Sequence, residues 1–373
     1  MTDTAPGTAL ADRPPTPADP SPGPEDTPRT RRRTPPLLAY VLRRVASSVL
    51  IVIGVTVVTF LLSSVVPADP ATANLGQRAL DDPGIVARYR TEQGLDRSLP
   101  MQYATYLGNL FTGDLGTSQQ TQRPVLDDLG DKLPATLELV ITATVLALVA
   151  GVLLGVLSAR GRGGRLDRAA RMLSLTGVSL PTFWIGMVAA VIFVKNLGVL
   201  PGSGRLAPAL DPPEHVTGFY TVDALLDGDV NAFASAAAHL VLPASVLALS
   251  VVGMVLRFTR SAVLEALSSD FVKAGRAKGL REHAVLWGYA VRASSGQLIT
   301  ATTLTFGLLL AATVYIEQQF SWNGIGQYAF RSSTNLDLPA VMGVSILIAL
   351  VFVVVNLIAD LLYAAFDPRI RLS

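Results

Sequence analysis

Residues 139–159 read LVITATVLALVAGVLLGVLSA, without a single Asp, Glu, Lys or Arg. As a helix rising 1.5 Å per residue, such a stretch spans about 30 Å, the thickness of a bilayer's hydrocarbon core. A soluble helix of this length carries a polar face, and this one has none. Five more windows share its character: Val45–Ala68, Met172–Val194, Val230–Leu256, Ala293–Ile316 and Leu338–Ala359. The fourth in chain order opens with Asn231 and Ser235, so its helix is expected to begin near Ala236. Composition agrees: half the chain is apolar, only 16% is charged and mean hydropathy is +0.45, where soluble domains carry about a quarter charged residues. The expectation is an all-α membrane protein with six transmembrane helices near 45–66, 139–159, 172–194, 236–256, 295–316 and 340–360. Pro181 and Pro243 predict kinks in the third and fourth spans. Gly151 and Gly155, four apart, predict close helix packing.

Working outward, the connectors set the orientation. Residues 1–36 are rich in Pro, Thr and Asp and poor in large apolar side chains, so this tail is expected to be disordered. It ends in Arg31, Arg32 and Arg33, and Arg43 and Arg44 precede the first span. The apolar core begins too late and runs too long for a cleaved signal peptide, so a retained first helix with a cytoplasmic basic flank is expected. Arg160, Arg162, Arg165, Arg168 and Arg171 crowd the second-to-third connector. Arg257, Arg260, Lys273, Arg276, Lys278, Arg281 and Arg292 crowd the fourth-to-fifth connector, 257–294. By contrast, 196–235 holds only Arg205 and 317–337 only Arg331. This alternation predicts a multi-pass protein of the plasma membrane with both termini cytoplasmic.

The outer segment, 67–136, is long enough to carry structure of its own. Leu99, Tyr103, Tyr106, Leu107 and Leu110 recur at helical spacing and predict a helix from Leu99 to Phe111. Gly113-Asp114-Leu115-Gly116 then predicts a turn. That piece either contacts a protein that delivers a ligand or shields the mouth of a pathway.

The cytoplasmic stretch Asp270–Leu280, DFVKAGRAKGL, reads as a short helix with Asp270 as N-cap and Gly279 as its stop. Two turns of helix do not persist alone in water. The stretch is either an amphipathic connector on the lipid surface or a docking helix for a soluble partner.

Several chemistries are excluded. Without cysteine there is no disulfide, thiolate metal site or cysteine nucleophile. No GxxxxGK[ST] loop occurs, so the chain is not expected to hydrolyse ATP. His215, His239 and His283 fall on separate segments without metal-ligand spacing, so no metal site is expected. No nucleophile elbow supports an intramembrane hydrolase. Glu317 and Asp360 sit near span ends, where a solvated or capping carboxylate is the plain reading. With no mid-span carboxylate or lysine and no visible repeat, a secondary carrier has little to work with.

An ordered set of motifs resembles one family, the permease subunits of ABC importers of the dipeptide/oligopeptide/nickel class. DFVKAGRAKGL is similar to that family's D-Y-V-R-T-A-R-A-K-G-L. Leu42-Arg43-Arg44 leads the first span, and Pro67-Ala68-Asp69-Pro70 leaves it. Gly113-Asp114-Leu115-Gly116-Thr117-Ser118, Arg123-Pro124-Val125 and Leu133-Pro134-Ala135-Thr136-Leu137-Glu138-Leu139 follow in order. Ser179-Leu180-Pro181-Thr182-Phe183-Trp184, Phe320-Ser321-Trp322, Gly324-Ile325-Gly326 and Asp367-Pro368-Arg369-Ile370-Arg371 complete the set.

The resemblance covers nearly everything after residue 36 and implies a type I ABC importer permease fold over 37–373. It further implies a pathway shared with a second homologous permease, two ATP-binding subunits that use ATP and Mg, and a substrate-binding protein outside. The lipid bilayer is the remaining partner; no cofactor on this chain and no nucleic acid are expected. In this reading Asp270, Phe271, Lys273, Ala274, Arg276, Lys278, Gly279 and Leu280 form the ATPase-coupling helix. Phe271 is its apolar anchor, and the cations meet acidic or backbone acceptors. Glu317, Phe320 and Trp322 are candidates for the pathway or outer gate. Short peptides are the implied cargo, with nickel or another small solute as the alternative. Three positions depart from the pattern: Gly275 stands for the usual Ala, Gln297 for a Pro before the fifth span, and Asn323 for the Pro after Trp322.

Overall fold

The computed structural model describes residues 37–65, 82–92 and 96–366. The expectations for the 1–36 tail, for Pro67-Ala68-Asp69-Pro70 and for Asp367–Arg371 fall outside that range. Every regular element among the described residues is helical. In chain order they are α1 (Leu37–Val65), α2 (Pro83–Glu92), α3 (Leu99–Phe111), α4 (Val125–Arg160), α5 (Arg165–Ser179) and α6 (Thr182–Ala189). Then follow α7 (Tyr220–Leu226), α8 (Val230–Ser268), α9 (Asp270–Ala277), α10 (Ser295–Gln319), α11 (Ile325–Thr334) and α12 (Leu338–Phe366). Two π-helical stretches, Ala190–Asn196 and Ala284–Ala290, extend α6 and lead towards α10.

Four of these helices are long and apolar enough to cross a membrane: α4, α8, α10 and α12. The first and third windows correspond to shorter apolar helices, Ala46–Leu62 and Thr182–Asn196. The third window is not the kinked single helix that its composition suggested. The chain leaves α5 at Ser179, and Leu180 is extended at φ −93°, ψ 131° before α6 begins. Proline lacks the N–H that would continue the ladder, and its ring pushes the preceding residue out of the α region. Pro243, by contrast, lies inside the continuous helix α8. That helix also starts earlier than Ala236: the Asp229 carboxylate accepts the N–H groups of Asn231 and Ala232 at 2.9 and 3.0 Å. This N-cap carries the polar turn Val230–Ser235 into the helix.

α4 and α8 form the centre of the bundle. A Cβ on Gly151 would lie 2.6 Å from Val255 Cγ1, and one on Gly155 would lie 2.7 Å from Thr259 Cβ. The small pair therefore sets backbone-close packing, as its spacing suggested. Around this crossing Leu139, Leu247, Leu309, Ile316, Phe320 and Trp322 share one buried cluster. α12 packs on α1, where Arg44 Nη2 meets the Asp360 carboxylate at 2.6 Å. Asp360 is thus ion-paired rather than merely solvated. The helix expected in the outer segment spans Leu99–Phe111 and lies on α1, with Tyr103 Oη 3.0 Å from Thr56 Oγ1 and its ring 5.3 Å from that of Phe60.

Candidate coupling helix and outer-face knot

α9 follows α8 after a single residue, Ser269, which is extended at ψ 156° and occupies the N-cap position. Asp270 is therefore not the cap, as the sequence suggested, but the first helical residue, and its carboxylate accepts from Lys273 Nζ at 2.9 Å. The C-terminal stop is Gly279 at φ +80°, a left-handed conformation that a Cβ disfavours. Gly279 N–H bonds to Arg276 O at 2.9 Å and Leu280 N–H to Gly275 O at 3.3 Å. These paired bonds make a Schellman turn.

Only Val272 and Gly275 of this helix are buried, and they face the end of α8 and the π-helical stretch Ala284–Ala290. Phe271 is 48% exposed, a large aromatic ring held outward by a helix anchored beneath it. Ala274, Lys278 and Leu280 are also on the exposed side. The cations are less available than the sequence suggested. Lys273 has its partner in Asp270, and Arg276 makes a fork with Glu282, Nε to Oε1 at 2.9 Å and Nη2 to Oε2 at 3.2 Å. That Arg276 fork holds the Glu282 carboxyl below its ordinary range.

The second constellation lies at the opposite end of α4. Glu317, near the end of α10, is fully buried, so it is neither solvated nor a surface cap. Thr136 Oγ1 donates to Glu317 Oε1 at 2.6 Å, and Gln327 N–H donates to Oε2 at 3.0 Å. Thr136 Oγ1 also accepts Ile325 N–H at 2.8 Å. Trp322 Nε1 donates to Ala135 O at 2.9 Å, and Phe320 O accepts Gly204 N–H at 2.8 Å. Phe320 and Trp322 are 2% and 1% exposed. The three candidates for a pathway or gate are thus brought together, as a packed knot rather than an open mouth. Asn323, where the pattern has proline, takes φ +53°, which proline's ring forbids.

The knot recruits residues that sequence reasoning passed over. Arg205 Nη2 donates to Glu138 Oε2 at 2.7 Å and to Gly218 O at 2.8 Å, while its guanidinium lies 3.7 Å from the centroid of Tyr220. Glu138 Oε1 accepts the N–H and hydroxyl of Thr221. One signal was present: Arg205 is the lone cation in 196–235, and a cation that becomes buried needs a carboxylate partner. Beside them, Asp223 is buried; that burial alone would raise its carboxyl, but Thr217 Oγ1 and the N–H groups of Thr217 and Gly218 outweigh it and hold it below the usual range. The turn after α3 is pinned likewise, with Ser118 Oγ donating to Asp337 at 2.6 Å and Tyr328 Oη to Asp128 at 3.1 Å.

What the geometry offers is one short helix with an exposed aromatic ring and, at the far end of the same bundle, a buried hydrogen-bonded cluster joining α4, α10, α11 and the segment before α8. Comparison with known proteins identifies the family. Residues 151–372 match the family "binding-protein-dependent transport system inner membrane component", and residues 37–140 match its N-terminal companion. The chain is 46% identical over 322 residues to the probable D,D-dipeptide transport system permease protein of Escherichia coli (strain K12), covering 86% of this chain and 94% of that one. It is 38% identical over 335 residues to the di/tripeptide transport system permease protein of Pseudomonas aeruginosa (strain UCBPP-PA14), covering 90% and 99%. A solved methionine ABC transporter in an inward-facing conformation overlaps 64% of this chain at 16% identity and a TM-score of 0.47.

Proposed function

The chain belongs to the family of binding-protein-dependent transport system inner membrane components, and from that premise we propose that it forms half of an import pathway for short peptides. The observation that carries the mechanism is α9, with Val272 and Gly275 anchored and Phe271 presented outward. Phe271 enters an apolar groove on a partner ATPase, where burying a ring stabilises docking by about 2 kcal/mol. Two such ATPases bind ATP and Mg; this chain binds neither. Their closure draws α9 and, through it, the end of α8 towards the second permease. The bundle then switches between inward and outward access, and the knot around Glu317, Phe320 and Trp322 is the outer gate that opens. A substrate-binding protein delivers the cargo on that side.

In this reading the chain crosses six times, with α1 and the α6 stretch as the first and third crossings, and α9 is cytoplasmic. Arg44, Arg260 and the other basic connectors support that orientation, with both termini inside. Affinity capture of a tagged chain is expected to bring down two ATPases and a second permease; a chain that purifies alone overturns the reading. In proteoliposomes of that assembly, L,L- and D,D-dipeptides are expected to enter on ATP addition and nickel is not. Nickel uptake without peptide uptake replaces the cargo. Phe271→Ala and Gly279→Pro are expected to leave ATP hydrolysis running while uptake stops, and normal uptake in both removes α9 from the coupling role.

A further inference from the structure

Asp167, in the first turn of α5, holds a position that nothing above assigns. Its side chain is 1% exposed in the middle of an arginine-rich stretch. Four groups converge on the carboxylate. Ser158 Oγ at the end of α4 donates to Oδ1 at 2.6 Å, and Gly163 N–H in the turn donates to Oδ2 at 3.0 Å. Arg260 on α8 reaches across with a fork, Nε to Oδ1 at 2.7 Å and Nη2 to Oδ2 at 3.2 Å. Arg171, one turn along α5, completes the set at 3.3 Å. The Arg260 hydrogen bonds, then those from Ser158 and Gly163, hold the Asp167 carboxyl well below the usual range.

The place of this cluster gives it meaning. Arg260 precedes Ser268, the last residue of α8, by eight residues, or about 12 Å of helix, and the docking helix follows at once. One residue before Arg260, Thr259 lies against Gly155, and further up a Cβ on Gly253 would sit 2.7 Å from Ser174 Cα. So α4, α5 and α8 meet backbone to backbone, with Asp167 as the polar bolt through the junction.

We propose that Asp167 is a positioning residue for coupling, locking the root of the docking helix to α4 and α5 so that a pull on α9 moves three helices as one body. The proposal rests on the coupling role of α9. Without the bolt, α9 and the lower end of α8 yield locally to the ATPases, and the pull is spent before it reaches the pathway.

The test measures dipeptide imported per ATP hydrolysed, in proteoliposomes of the whole complex with its binding protein. This ratio is insensitive to how much complex assembles, which a merely structural role would change. Asp167→Asn and Arg260→Gln are each expected to lower it about tenfold, within the usual range of coupling between sites. The double variant is expected to be no worse than either single one, because both remove the same link. Arg260→Lys keeps the cation, and with it assembly, but loses the fork, and is expected to give a loss of a few fold. A wild-type ratio in every variant that assembles overturns the proposal. If Phe271→Ala lowers the ratio while these variants do not, the bolt fails and the docking helix stands. If Phe271→Ala also leaves the ratio unchanged, the coupling role of α9 itself fails.

Discussion

Thr136 and Glu317, 181 residues apart in the chain, are joined by a 2.6 Å hydrogen bond in the buried knot that ties α4 to α10. The same threonine hydroxyl accepts Ile325 N–H, so one side chain serves two elements. Thr136→Val keeps the shape and removes both bonds, leaving a buried N–H and a carboxylate oxygen short of partners at about 1–3 kcal/mol each. Thr136→Ser keeps the hydroxyl. In thermal melts of the purified permease pair, the valine variant is expected to melt several degrees lower than the serine variant. Equal melting temperatures would show that the bond contributes nothing to the knot.

The loop before α8 is expected to respond to acid through Asp223. Its carboxyl is held below the ordinary value in the folded loop. Such a group contributes stability that is fully present above the unfolded value, about 3.9, and lost as pH falls through the lower folded value. Protease nicking of this loop in proteoliposomes is therefore expected to be slow and flat from pH 7 to about 5, and to accelerate below about 4. Asp223→Asn, which cannot accept all the bonds from Thr217 and Gly218, is expected to be nicked fast at pH 7 and to lose the acid dependence. An acid dependence unchanged in the asparagine variant would assign it to another group.

Such buried polar contacts are also what the sequence leaves illegible. The apolar windows made the long helices legible because lipid-facing and buried positions alike must be apolar over about 20 residues. The α3 boundaries were legible because its apolar spacing survives on a half-exposed helix. Gly151 and Gly155 were legible as a packing pair, because only close backbones need two missing side chains one turn apart. The break at Leu180–Pro181 was read as a kink, since composition does not say whether neighbours restore the lost bond. Asp270 was taken for the cap because acid before helix formers is the usual signature, whereas the chain turns at Ser269. Glu138, Arg205, Asp167 and Asp337 were missed for one shared reason. Each has one partner between 67 and 219 residues away, and no local pattern encodes such distances.

Gly275 is a departure whose consequence is measurable. A Cβ there would lie 3.4 Å from Leu280 Cδ1, an ordinary contact, with nothing else nearby. Gly275→Ala is therefore expected to stabilise α9 by about 1 kcal/mol through propensity alone. The check is amide hydrogen exchange of residues 270–280 in the free permease, expected to slow about fivefold. Faster exchange would mean that the glycine relieves a contact with the end of α8. If α9 orders on docking, the alanine variant should also bind the ATPase more tightly.

Orientation can be read chemically, because the chain contains no cysteine and any introduced thiol is unique. Two exposed positions report on the two faces: Asp211, in the loop before α8, and Lys278, at the end of α9. Among the described residues, neither side chain has a hydrogen bond or ion pair that a substitution would break. The alternation of basic connectors predicts Lys278 inside and Asp211 outside. The Arg44–Asp360 pair is consistent with this, since it keeps the basic flank of α1 level with the far end of α12. In intact cells, a membrane-impermeant maleimide is expected to label Asp211→Cys and not Lys278→Cys. Permeabilising the membrane should then expose the second site. Labelling of Lys278→Cys in intact cells would turn the bundle over, put α9 out of reach of any ATPase and end the coupling reading at its root.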